Sequence, residues 1–333
     1  MKVTVLGAGS WGTTLALVLD ENKHNVTCWS FDQQDIEQIH KTHQNEKFLP
    51  GISLPESIHF TSDLTKSVRE ASAIIVVVPT HAVRSVLSEI KDIISDSTIW
   101  ITASKGVENK TFLRMSELIA EITGSGSDKI AVLSGPSHAE EVSRKIPTAI
   151  VSASDNRDTA RLVQDLFMRP YFRVYANTDV AGVELGGALK NIIAVAAGIC
   201  DGAGFGDNTK AALMTRGLVE MNRLGVKLGA NSDTFAGLSG MGDLVVTCMS
   251  QHSRNRFVGE QIGKGKSLQQ VLDEMVMVAE GVKTTESIHG LIQKIKVDMP
   301  IADEVYKTLF ENKPAVQAMQ DLMTRASKME DWG

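Results

Sequence analysis

The chain has 333 residues, more than one domain of roughly 100 to 200 residues requires, so it is long enough to form two hydrophobic cores. Hydrophobic residues make up 43% and charged residues 22%, with only 8 prolines, which excludes disordered, collagen-like and coiled-coil proteins. The net charge of −6 provides no overall attraction to nucleic acid or to an anionic membrane.

The cysteines and the apolar runs indicate the compartment. Cys28, Cys200 and Cys248 are too few and too widely spaced for a disulfide framework or a four-ligand zinc site, which favours a reducing environment. The first residues, MKVTVLG, have the pattern of a strand rather than of a secretory signal. No run reaches the roughly 18 apolar residues of a membrane span. We therefore expect a cytoplasmic protein with no membrane span and no nucleic-acid partner.

Short β-branched runs alternate with amphipathic stretches in the first half of the chain, a pattern typical of βαβ units. Strands are predicted at residues 3–6, 26–29, 74–78, 98–102, 130–133 and 148–152. The run at 74–78, IIVVV, is apolar without alternation, as expected of a parallel strand covered on both faces. The sequence thus predicts a doubly wound parallel sheet over residues 1–178.

The strand runs stop near Asn177, and helical periodicity follows. Helices are predicted at residues 180–199, 210–228, 257–262, 268–277, 284–296 and 302–310. Residues 179–333 are therefore expected to form a second, all-helical domain.

The segment GAGSWG fits the motif G-x-G-x-x-G, and it follows a predicted strand and opens an apolar helix. Gly7 allows the tight turn, Gly9 removes a side chain where a pyrophosphate approaches, and Gly12 lets helix and strand pack closely. In this context the motif predicts a dinucleotide site rather than a turn without a ligand.

The residues after the second predicted strand do not decide between NAD and NADP. Asp32 lies 20 residues beyond Gly12 (32 − 12 = 20), the spacing of an acid that binds the ribose of NAD. Ser30, in contrast, is small and neutral and leaves room for a 2′-phosphate. Asp32 is equally suited to cap a helix.

Two further segments follow predicted strands and lie where open α/β sheets bind ligands. Lys105 follows the strand at 98–102 and could meet a phosphate or the nicotinamide, or be a solvated surface lysine. Ser137, in the segment SGPSHA, could hydrogen-bond a polar ligand or belong to a helix cap.

The predicted helix at 180–199 combines glycines with a lysine. Gly182, Gly186 and Gly187 each cost about 0.5–1 kcal/mol relative to alanine, so we expect another part of the chain to approach closely. Lys190 and Asn191 share a face with Gly187. Since burying an unpaired ammonium is costly, Lys190 is either a functional residue or a lysine that extends from a core helix to solvent.

Two polar segments follow in the helical half. The loop GLSGMGDL places Asp243 before an apolar stretch, either as a helix cap or as the carboxylate partner of a buried lysine. The segment SRNR at 253–256 precedes a predicted helix. Its free amides and Arg254 suit a phosphate, although a solvated basic turn has the same composition.

The sequence does not support three other kinds of site. The segment GEQIGKGKS lacks the first glycine of a phosphate-binding P-loop, and GPSHA lacks the closing glycine of a hydrolase nucleophile elbow. His40 and His43 have no further placed ligands, so no metal site is expected.

The sequence resembles bacterial NAD(P)-dependent glycerol-3-phosphate dehydrogenases nearly from end to end. The resemblance is carried by GAGSWGTTLA, VVVPTHAVRSVL, ASKGVE, LSGPSHAEEV, PTAIVSAS, GVELGGALKNIIAVAAGICDGAGFGDNTKAALMTRGLVEM, LSGMGDLVVTCMSQHSRNRFVG and AEGVKT. It implies a Rossmann-type first domain and an all-helical second one. It also implies reversible hydride transfer between NAD(P)H and dihydroxyacetone phosphate, giving sn-glycerol 3-phosphate for glycerophospholipid synthesis, in a homodimer.

Carried over motif by motif, the resemblance implies that Lys190 and Asp243 are catalytic. The implied substrate contacts are Lys105, Gly135, Ser137, Lys190, Asp243, Ser253, Arg254 and Asn255. The implied cofactor contacts are Gly7, Gly9, Ser10, Trp11, Gly12, Phe31, Lys105, Ala139, Arg254, Val278 and Glu280. Relatives often carry His or Arg at the position of Phe31, and the missing cation weakens the case for NADP.

Two other classes fit part of the sequence. A hydroxy-acid or 6-phosphogluconate type dehydrogenase would share the glycine turn and a helical lysine, but the SRN and GMGDL motifs argue against it. A non-catalytic nucleotide sensor would bind the cofactor without turnover, and the presence of both Lys190 and Asp243 argues against that.

Overall fold

The computed structural model describes residues 1–275, 278–327 and 329–330. The chain divides into two compact units, one formed by Met1–Ser104 and Met115–Val180, the other by Lys105–Arg114 and the residues from Ala181 onward. The segment Lys105–Arg114, here called the Lys105 loop, thus differs from the predicted division, which placed it in residues 1–178. The reason is packing, because Val107 is 3% exposed and lies in the hydrophobic core of the second unit.

The first unit is built on an eight-stranded sheet with the strand order β10-β9-β8-β7-β6-β1-β2-β5. The strands are β1 Lys2–Leu6, β2 Asn25–Trp29, β3 Gln44–Asn45, β4 Leu49–Ser53, β5 His59–Thr61, β6 Ala73–Val76, β7 Ile99–Thr102, β8 Ile130–Ser134, β9 Thr148–Ala153 and β10 Phe172–Asn177. Strands β8 and β9 pair antiparallel and the other sheet neighbours pair parallel. Strands β3 and β4 form a separate antiparallel pair.

The helices of the first unit cover both faces of its sheet, as a doubly wound fold requires. They are α1 Ser10–Glu21, α2 Gln33–Thr42, α3 Leu64–Val68, α4 Thr80–Ile90, α5 Met115–Thr123, α6 Ala139–Val142 and α7 Arg157–Phe167. The central strand β6 is completely buried, as predicted for IIVVV, although it ends at Val76 rather than at 78.

The second unit consists mainly of helices. They are α8 Val180–Gly202, α9 Asp207–Lys227, α10 Ser232–Phe235, α11 Asp243–Met249, α12 Arg254–Gly263, α13 Leu268–Asp273, α14 Glu280–Ile295, α15 Pro300–Phe310 and α16 Ala315–Met323. The fold class predicted from the sequence, a Rossmann-type sheet followed by a helical region, is confirmed.

Several elements differ from the prediction. The six predicted strands are present, but β3, β4, β5 and β10 were missed, because the first three are short or carry polar residues and β10 alternates buried and exposed positions. In the second unit α10, α11 and α16 were missed. The helix predicted at 268–277 ends at Asp273, and its residues 276 and 277 lie outside the described part of the chain.

Helix α8 is the core of the second unit. It is long and apolar enough to cross a membrane, but its apolar stretch is completely buried inside the protein, as the central helix of a globular domain is. The expected close approach occurs at Gly186, where an added Cβ would lie 2.5 Å from the carbonyl oxygen of Ser239. Because only glycine fits there, the loop that leads to Asp243 packs directly on α8.

A buried carboxylate caps the N-terminus of α15. Glu220, on α9, is 3% exposed, and its two oxygens accept hydrogen bonds from the backbone N–H groups of Ile301 and Ala302, at 2.8 and 3.2 Å. These amides belong to the first turn of α15, which has no intrahelical acceptors for them. Burial nevertheless raises the pKa of Glu220 to about 7, although both N–H groups act in the opposite direction.

This raised pKa predicts a pH-dependent stability. An ordinary glutamate has a pKa of about 4.3, so the contribution of Glu220 to folding is full below that value and is lost as the pH rises through about 7. A glutamine at this position cannot ionise. We therefore expect the melting temperature of Glu220→Gln, measured relative to wild type, to be higher at pH 8 than at pH 5. Thermal unfolding at both pH values measures this, with the exposed Glu311→Gln, at the C-terminal end of α15, as surface control. A difference that does not change with pH would contradict the raised pKa.

Candidate active site

The second unit joins one carboxylate to two ammonium groups. Lys190, on α8, is 6% exposed and Asp243, the first residue of α11, is 1% exposed. The Nζ of Lys190 donates to Oδ1 of Asp243 at 2.8 Å, and the Nζ of Lys105 donates to Oδ2 at 2.7 Å. Of the alternatives left open by the sequence, Asp243 is thus an ion-pair partner, and neither lysine is simply solvated.

The burial of this cluster changes its titration. Burial lowers the pKa of Lys190 to about 8, with the Asp243 carboxylate acting against the shift and the Lys105 ammonium adding to it. Burial alone would raise the pKa of Asp243, but the ammonium groups of Lys105 and Lys190 outweigh it and hold that pKa below its ordinary value. Near neutral pH, Asp243 is therefore ionised while Lys190 can both release and take up a proton.

A threonine that the sequence analysis did not single out completes the surroundings of Lys190. Thr247 accepts a hydrogen bond from the Nζ of Lys190 at 2.7 Å, and its own hydroxyl donates to the backbone oxygen of Asp243 at 2.6 Å. Thr247 follows Asp243 by four residues, so both lie on one face of α11. That spacing is the signal that could have identified it.

The SRN segment forms the start of α12. Ser253 is buried and caps the helix, its hydroxyl accepting from the N–H of Arg256 at 3.2 Å. Arg254 is exposed at the first helical position, next to amides of the first turn, which lack intrahelical acceptors. A guanidinium beside such amides is suited to bind a phosphate.

Asn255 has a side chain that is occupied on both sides. Its Nδ2 donates to Oδ1 of Asn191 at 2.8 Å, and its Oδ1 accepts from the N–H of Gly281 at 2.8 Å. This residue therefore connects α8, α12 and the start of α14. Glu280, a predicted cofactor contact, is the half-buried first residue of α14, and Val278 is 41% exposed just before it.

In the first unit, the glycine turn lies where the strand order reverses, between β1 and β6. Gly7 adopts a φ of 123°, and an added Cβ on Gly12 would lie 1.8 Å from the carbonyl oxygen of Gly7, so these positions require glycine. An added Cβ on Gly9, the N-cap of α1, would meet no atom within 4 Å. Open space thus lies at the helix N-terminus where a dinucleotide pyrophosphate is expected, and the turn fits that group.

The neighbours of the glycine turn differ in exposure. Ser10 is buried, and the indole ring of Trp11 packs against the core of the first unit, 6.3 Å from the ring of Phe172. Because the indole points inward, Trp11 can contact a phosphate only through its backbone N–H, which lies in the first turn of α1.

The region after β2 presents an aromatic ring and a capping acid. Phe31 is 84% exposed. Asp32 caps α2, its Oδ1 accepting from the N–H groups of Gln34 and Asp35 at 2.9 and 3.3 Å, and its Oδ2 lies 3.5 Å from the Nζ of Lys47. Asp32 thus serves as the helix cap that the sequence left as one alternative.

The remaining predicted contacts of the first unit follow β8. Gly135 has a φ of 137°, and the hydroxyl of Ser137 donates to its carbonyl oxygen at 2.9 Å. Ala139 is buried at the start of α6. Among the described residues, no group of three or more His, Cys, Asp or Glu side chains is placed to hold a metal ion.

A Rossmann-type sheet with this glycine turn and a helical unit with a lysine–carboxylate cluster define a nucleotide-dependent dehydrogenase of the two-domain class. Family models of NAD-dependent glycerol-3-phosphate dehydrogenase match both parts of the chain, the N-terminal model over residues 2–160 and the C-terminal model over 179–320. The chain belongs to the NAD-dependent glycerol-3-phosphate dehydrogenase family, which confirms the resemblance found in the sequence.

Curated relatives agree with this assignment. The chain is 52% identical over 331 residues to a glycerol-3-phosphate dehydrogenase [NAD(P)+] of Chlorobium phaeobacteroides, with 99% of each chain covered. It is 51% identical to the enzyme of that name from Bacillus pumilus, covering 99% of this chain and 96% of the relative.

Solved structures support the same family assignment. The glycerol-3-phosphate dehydrogenase of Coxiella burnetii is 38% identical, with a TM-score of 0.94 and coverage of 97% of this chain and 99% of that one. A D-mandelate dehydrogenase, 13% identical with a TM-score of 0.62 and coverage of 97% and 99%, shares the fold alone.

Proposed function

We propose that this chain catalyses reversible, NAD(P)-dependent hydride transfer between dihydroxyacetone phosphate and sn-glycerol 3-phosphate. The observation that carries the proposal is the cluster of Lys190, Asp243 and Lys105, in which burial brings the pKa of Lys190 to about 8. The nicotinamide cofactor, held by the glycine turn, supplies or accepts the hydride. The chain's own residues supply the proton and the positioning.

Lys190 is the proposed acid and base. When a carbonyl is reduced, negative charge develops on its oxygen, and the Lys190 ammonium donates a proton to it. In the oxidation direction the neutral amine accepts the proton of the alcohol. Asp243 and Thr247 hold the Nζ of Lys190 at 2.8 and 2.7 Å, which fixes the direction of the transferred proton. The Lys105 ammonium adds a second positive charge close to the developing oxyanion.

Arg254 and the first turn of α12 are the proposed anchor for the substrate phosphate, together with Ser253 and Asn255. Asn255 mainly positions the elements around the phosphate, because both the oxygen and the nitrogen of its amide already have protein partners. Binding the phosphate, which does not react, aligns the carbonyl for hydride transfer. Gly135 and Ser137 are further proposed substrate contacts.

The proposed cofactor contacts are those implied by the resemblance, from Gly7, Gly9, Ser10, Trp11, Gly12, Phe31 and Ala139 in the first unit and from Lys105, Arg254, Val278 and Glu280 in the second. Phe31 offers an exposed ring and Asp32 a negative charge beside the expected ribose position, and Lys47 is already held by Asp32 and Asp35. These features favour NAD over NADP, since a 2′-phosphate needs an available cation. We further propose a cytoplasmic homodimer that makes a glycerophospholipid precursor.

One assay tests the activity and the cofactor together. Purified protein is mixed with dihydroxyacetone phosphate and either NADH or NADPH, and the loss of the reduced-nicotinamide absorbance is followed. We expect turnover with both cofactors and a higher kcat/KM with NADH. Parallel reactions with pyruvate and with 6-phosphogluconate plus NADP⁺ test the other dehydrogenase types. Absence of turnover with dihydroxyacetone phosphate under saturating conditions would overturn the proposal.

The phosphate anchor leads to a separate prediction for Arg254→Ala. We expect kcat/KM for dihydroxyacetone phosphate to fall by about 10² or more, since a charge-assisted hydrogen bond contributes about 1.5–3 kcal/mol and its loss also misaligns the carbonyl. The activity with unphosphorylated dihydroxyacetone should change little. Steady-state kinetics with both substrates measures this, and an unchanged preference for the phosphorylated one would show that the anchor lies elsewhere.

A further inference from the structure

The Lys105 loop is closed on itself. Val107 and Arg114 form an antiparallel bridge, and the N–H of Glu108 donates to the carbonyl oxygen of Leu113 at 2.9 Å. Arg114 therefore lies opposite a residue only two positions after Lys105. A displacement of Arg114 is transmitted to Lys105 through this short closed segment.

Each end of the loop donates a cation to a buried carboxylate of the second unit. At one end Lys105 binds Asp243, whose side chain is 2% exposed. At the other end the Nη1 of Arg114 donates to Oε2 of Glu184 at 2.8 Å, with the Glu184 side chain 5% exposed and the Arg114 side chain 19% exposed. Removing either partner of such a buried ion pair destabilises the fold, because the other partner is left as a poorly solvated charge.

Glu184 belongs to the same helix as the proposed acid and base. It precedes Lys190 on α8 by six residues, which is about 9 Å along a helix axis, and both residues lie in the buried part of that helix. Helix α8 thus carries Lys190 and also the attachment point of the segment that supplies Lys105. Arg114 lies outside the motifs discussed above, and Glu184, although it lies within GVELGG, was not predicted to be a site residue.

The middle of the loop contacts a different helix. Phe112 packs against α14, where an added Cβ on Gly290 would lie 3.2 Å from two atoms of the phenyl ring. The Nδ2 of Asn109 donates to Oε2 of Glu286 at 3.3 Å. These contacts hold the tip of the loop, whereas Arg114 and Glu184 tie the loop to α8.

We propose that Arg114 and Glu184 are positioning residues of the dehydrogenase, whose ion pair fixes the Lys105 loop on α8 and so keeps the Lys105 ammonium on Asp243. This inference rests on the proposed function for its kinetic consequences and on the structure alone for the placement of Lys105. Without the pair, the loop loses this ionic attachment to α8, and Lys105 moves away from Asp243 for part of the time.

The proposal predicts a direction for the pH dependence. The charge of Lys105 is one of the influences that lower the pKa of Lys190, whereas Asp243 raises it. If Lys105 withdraws, Lys190 keeps its carboxylate and loses a repelling charge, so its pKa rises. The rising limb of glycerol 3-phosphate oxidation, which needs the neutral amine, then moves to higher pH. The other groups that act on Lys190, the Asp243 carboxylate and the Cys248 thiol, are unchanged by a substitution at Glu184.

The central variant is Glu184→Gln, which keeps the shape of the side chain and removes its charge. We expect kcat for dihydroxyacetone phosphate to fall by about 10- to 100-fold, since a small misplacement caused by a distant change can cost about 10²-fold. KM for the cofactor should change little. Arg114→Lys, which keeps the charge, should retain more activity than Arg114→Gln. The double variant Arg114→Gln/Glu184→Gln should lose no more than either single variant, as coupled partners do.

Glu220→Gln is the matched control. It also removes the charge of a carboxylate that is almost completely buried in the second unit, 3% exposed against 7% for Glu184. The Glu220 carboxylate, however, binds the backbone of α15 rather than the Lys105 loop. A loss of activity caused only by a weakened helical unit would occur in both variants. The shift of the pH profile should occur only in Glu184→Gln.

A second measurement does not depend on activity. Reductive methylation of the complete protein without ligands, followed by mass spectrometry of its peptides, reports how accessible each lysine is. We expect Lys105 to react several-fold faster in Glu184→Gln than in wild type or in Glu220→Gln. Unchanged labelling of Lys105 would overturn the proposal, and so would a kcat and pH profile like those of the control. If wild-type protein does not reduce dihydroxyacetone phosphate, the proposed function fails while the labelling result still decides the placement of Lys105.

Discussion

Lys190→Ala is expected to lower kcat for dihydroxyacetone phosphate reduction by about 10² to 10⁴, the usual contribution of a positioned acid or base. The affinity for the nicotinamide cofactor should stay close to that of wild type, because the glycine turn that is proposed to hold it lies in the other unit. Steady-state kinetics gives kcat, and a titration of the cofactor by its fluorescence gives the affinity. Near-normal turnover would remove Lys190 from the mechanism.

The pH profile of the wild-type protein is part of the same test. With a Lys190 pKa of about 8, the reduction rate should fall as the pH rises through that value, since reduction needs the ammonium form. The oxidation rate should rise over the same range. Lys190→Arg keeps the positive charge but not a proton that can be released near neutral pH, so it should be as slow as the alanine variant and show neither limb. A fast arginine variant would mean that Lys190 provides charge alone.

Asp243→Asn should have the second largest effect, because this one carboxylate is the ion-pair partner of two ammonium groups. Loss of one partner of a buried ion pair costs about 3–5 kcal/mol of folding free energy, and here two lysines are left facing a neutral amide. The pKa of Lys190 should then fall below about 8, since Asp243 is the group that raises it. We expect a large decrease in kcat, a lower melting temperature and a falling limb of reduction that moves to lower pH.

Asp201→Asn provides a matched control for this variant. Asp201 also lies between two cations of the second unit, Lys210 at 2.8 Å and Arg256 at 2.7 Å, but its side chain is 21% exposed. Solvent screening makes such a pair weaker, so the loss of stability should be smaller and the pH profile should not move. If Asp243→Asn behaves like this control, Asp243 does not set the charge of Lys190. The opposite pH shifts expected for Asp243→Asn and Glu184→Gln also separate the two roles.

Local patterns predicted much of the fold. The glycine turn, the buried strand β6 and the long helix α8 each follow from spacing within a few residues, and the structure has all of them. The edge strand β5 and the partly exposed β10 were missed because their side chains face solvent on alternate positions or for most of their length, so the apolar signal is weak. The loop before Asp243 packs on Gly186, whereas the glycines of α8 predicted only that some other part of the chain approaches closely.

Local patterns likewise identified single residues of the candidate site but not their partners. Lys190 was a candidate because a lysine is unusual in an apolar, glycine-containing helix. Asp243 was a candidate because it is an acid that follows a glycine-rich loop. Their pairing was one of two open alternatives, since 53 residues separate them. Thr247 was missed although it follows Asp243 at helical spacing, because the stretch was not recognised as a helix. Arg114 lies outside every quoted motif, and Glu184 lies within GVELGG but was not predicted to be a site residue.

By itself, the amino-acid sequence determined that this protein has a dinucleotide-type glycine turn, a sheet domain followed by helices, and the motifs of one dehydrogenase family. Those features depend on residues that are close together along the chain. Only the tertiary structure decided that Lys105 binds the same carboxylate as Lys190, across 138 residues of sequence, and that its loop packs with the helices. The physical reason is that burial and shared charge depend on which distant segments pack together, and the charge state of Lys190 follows from that packing.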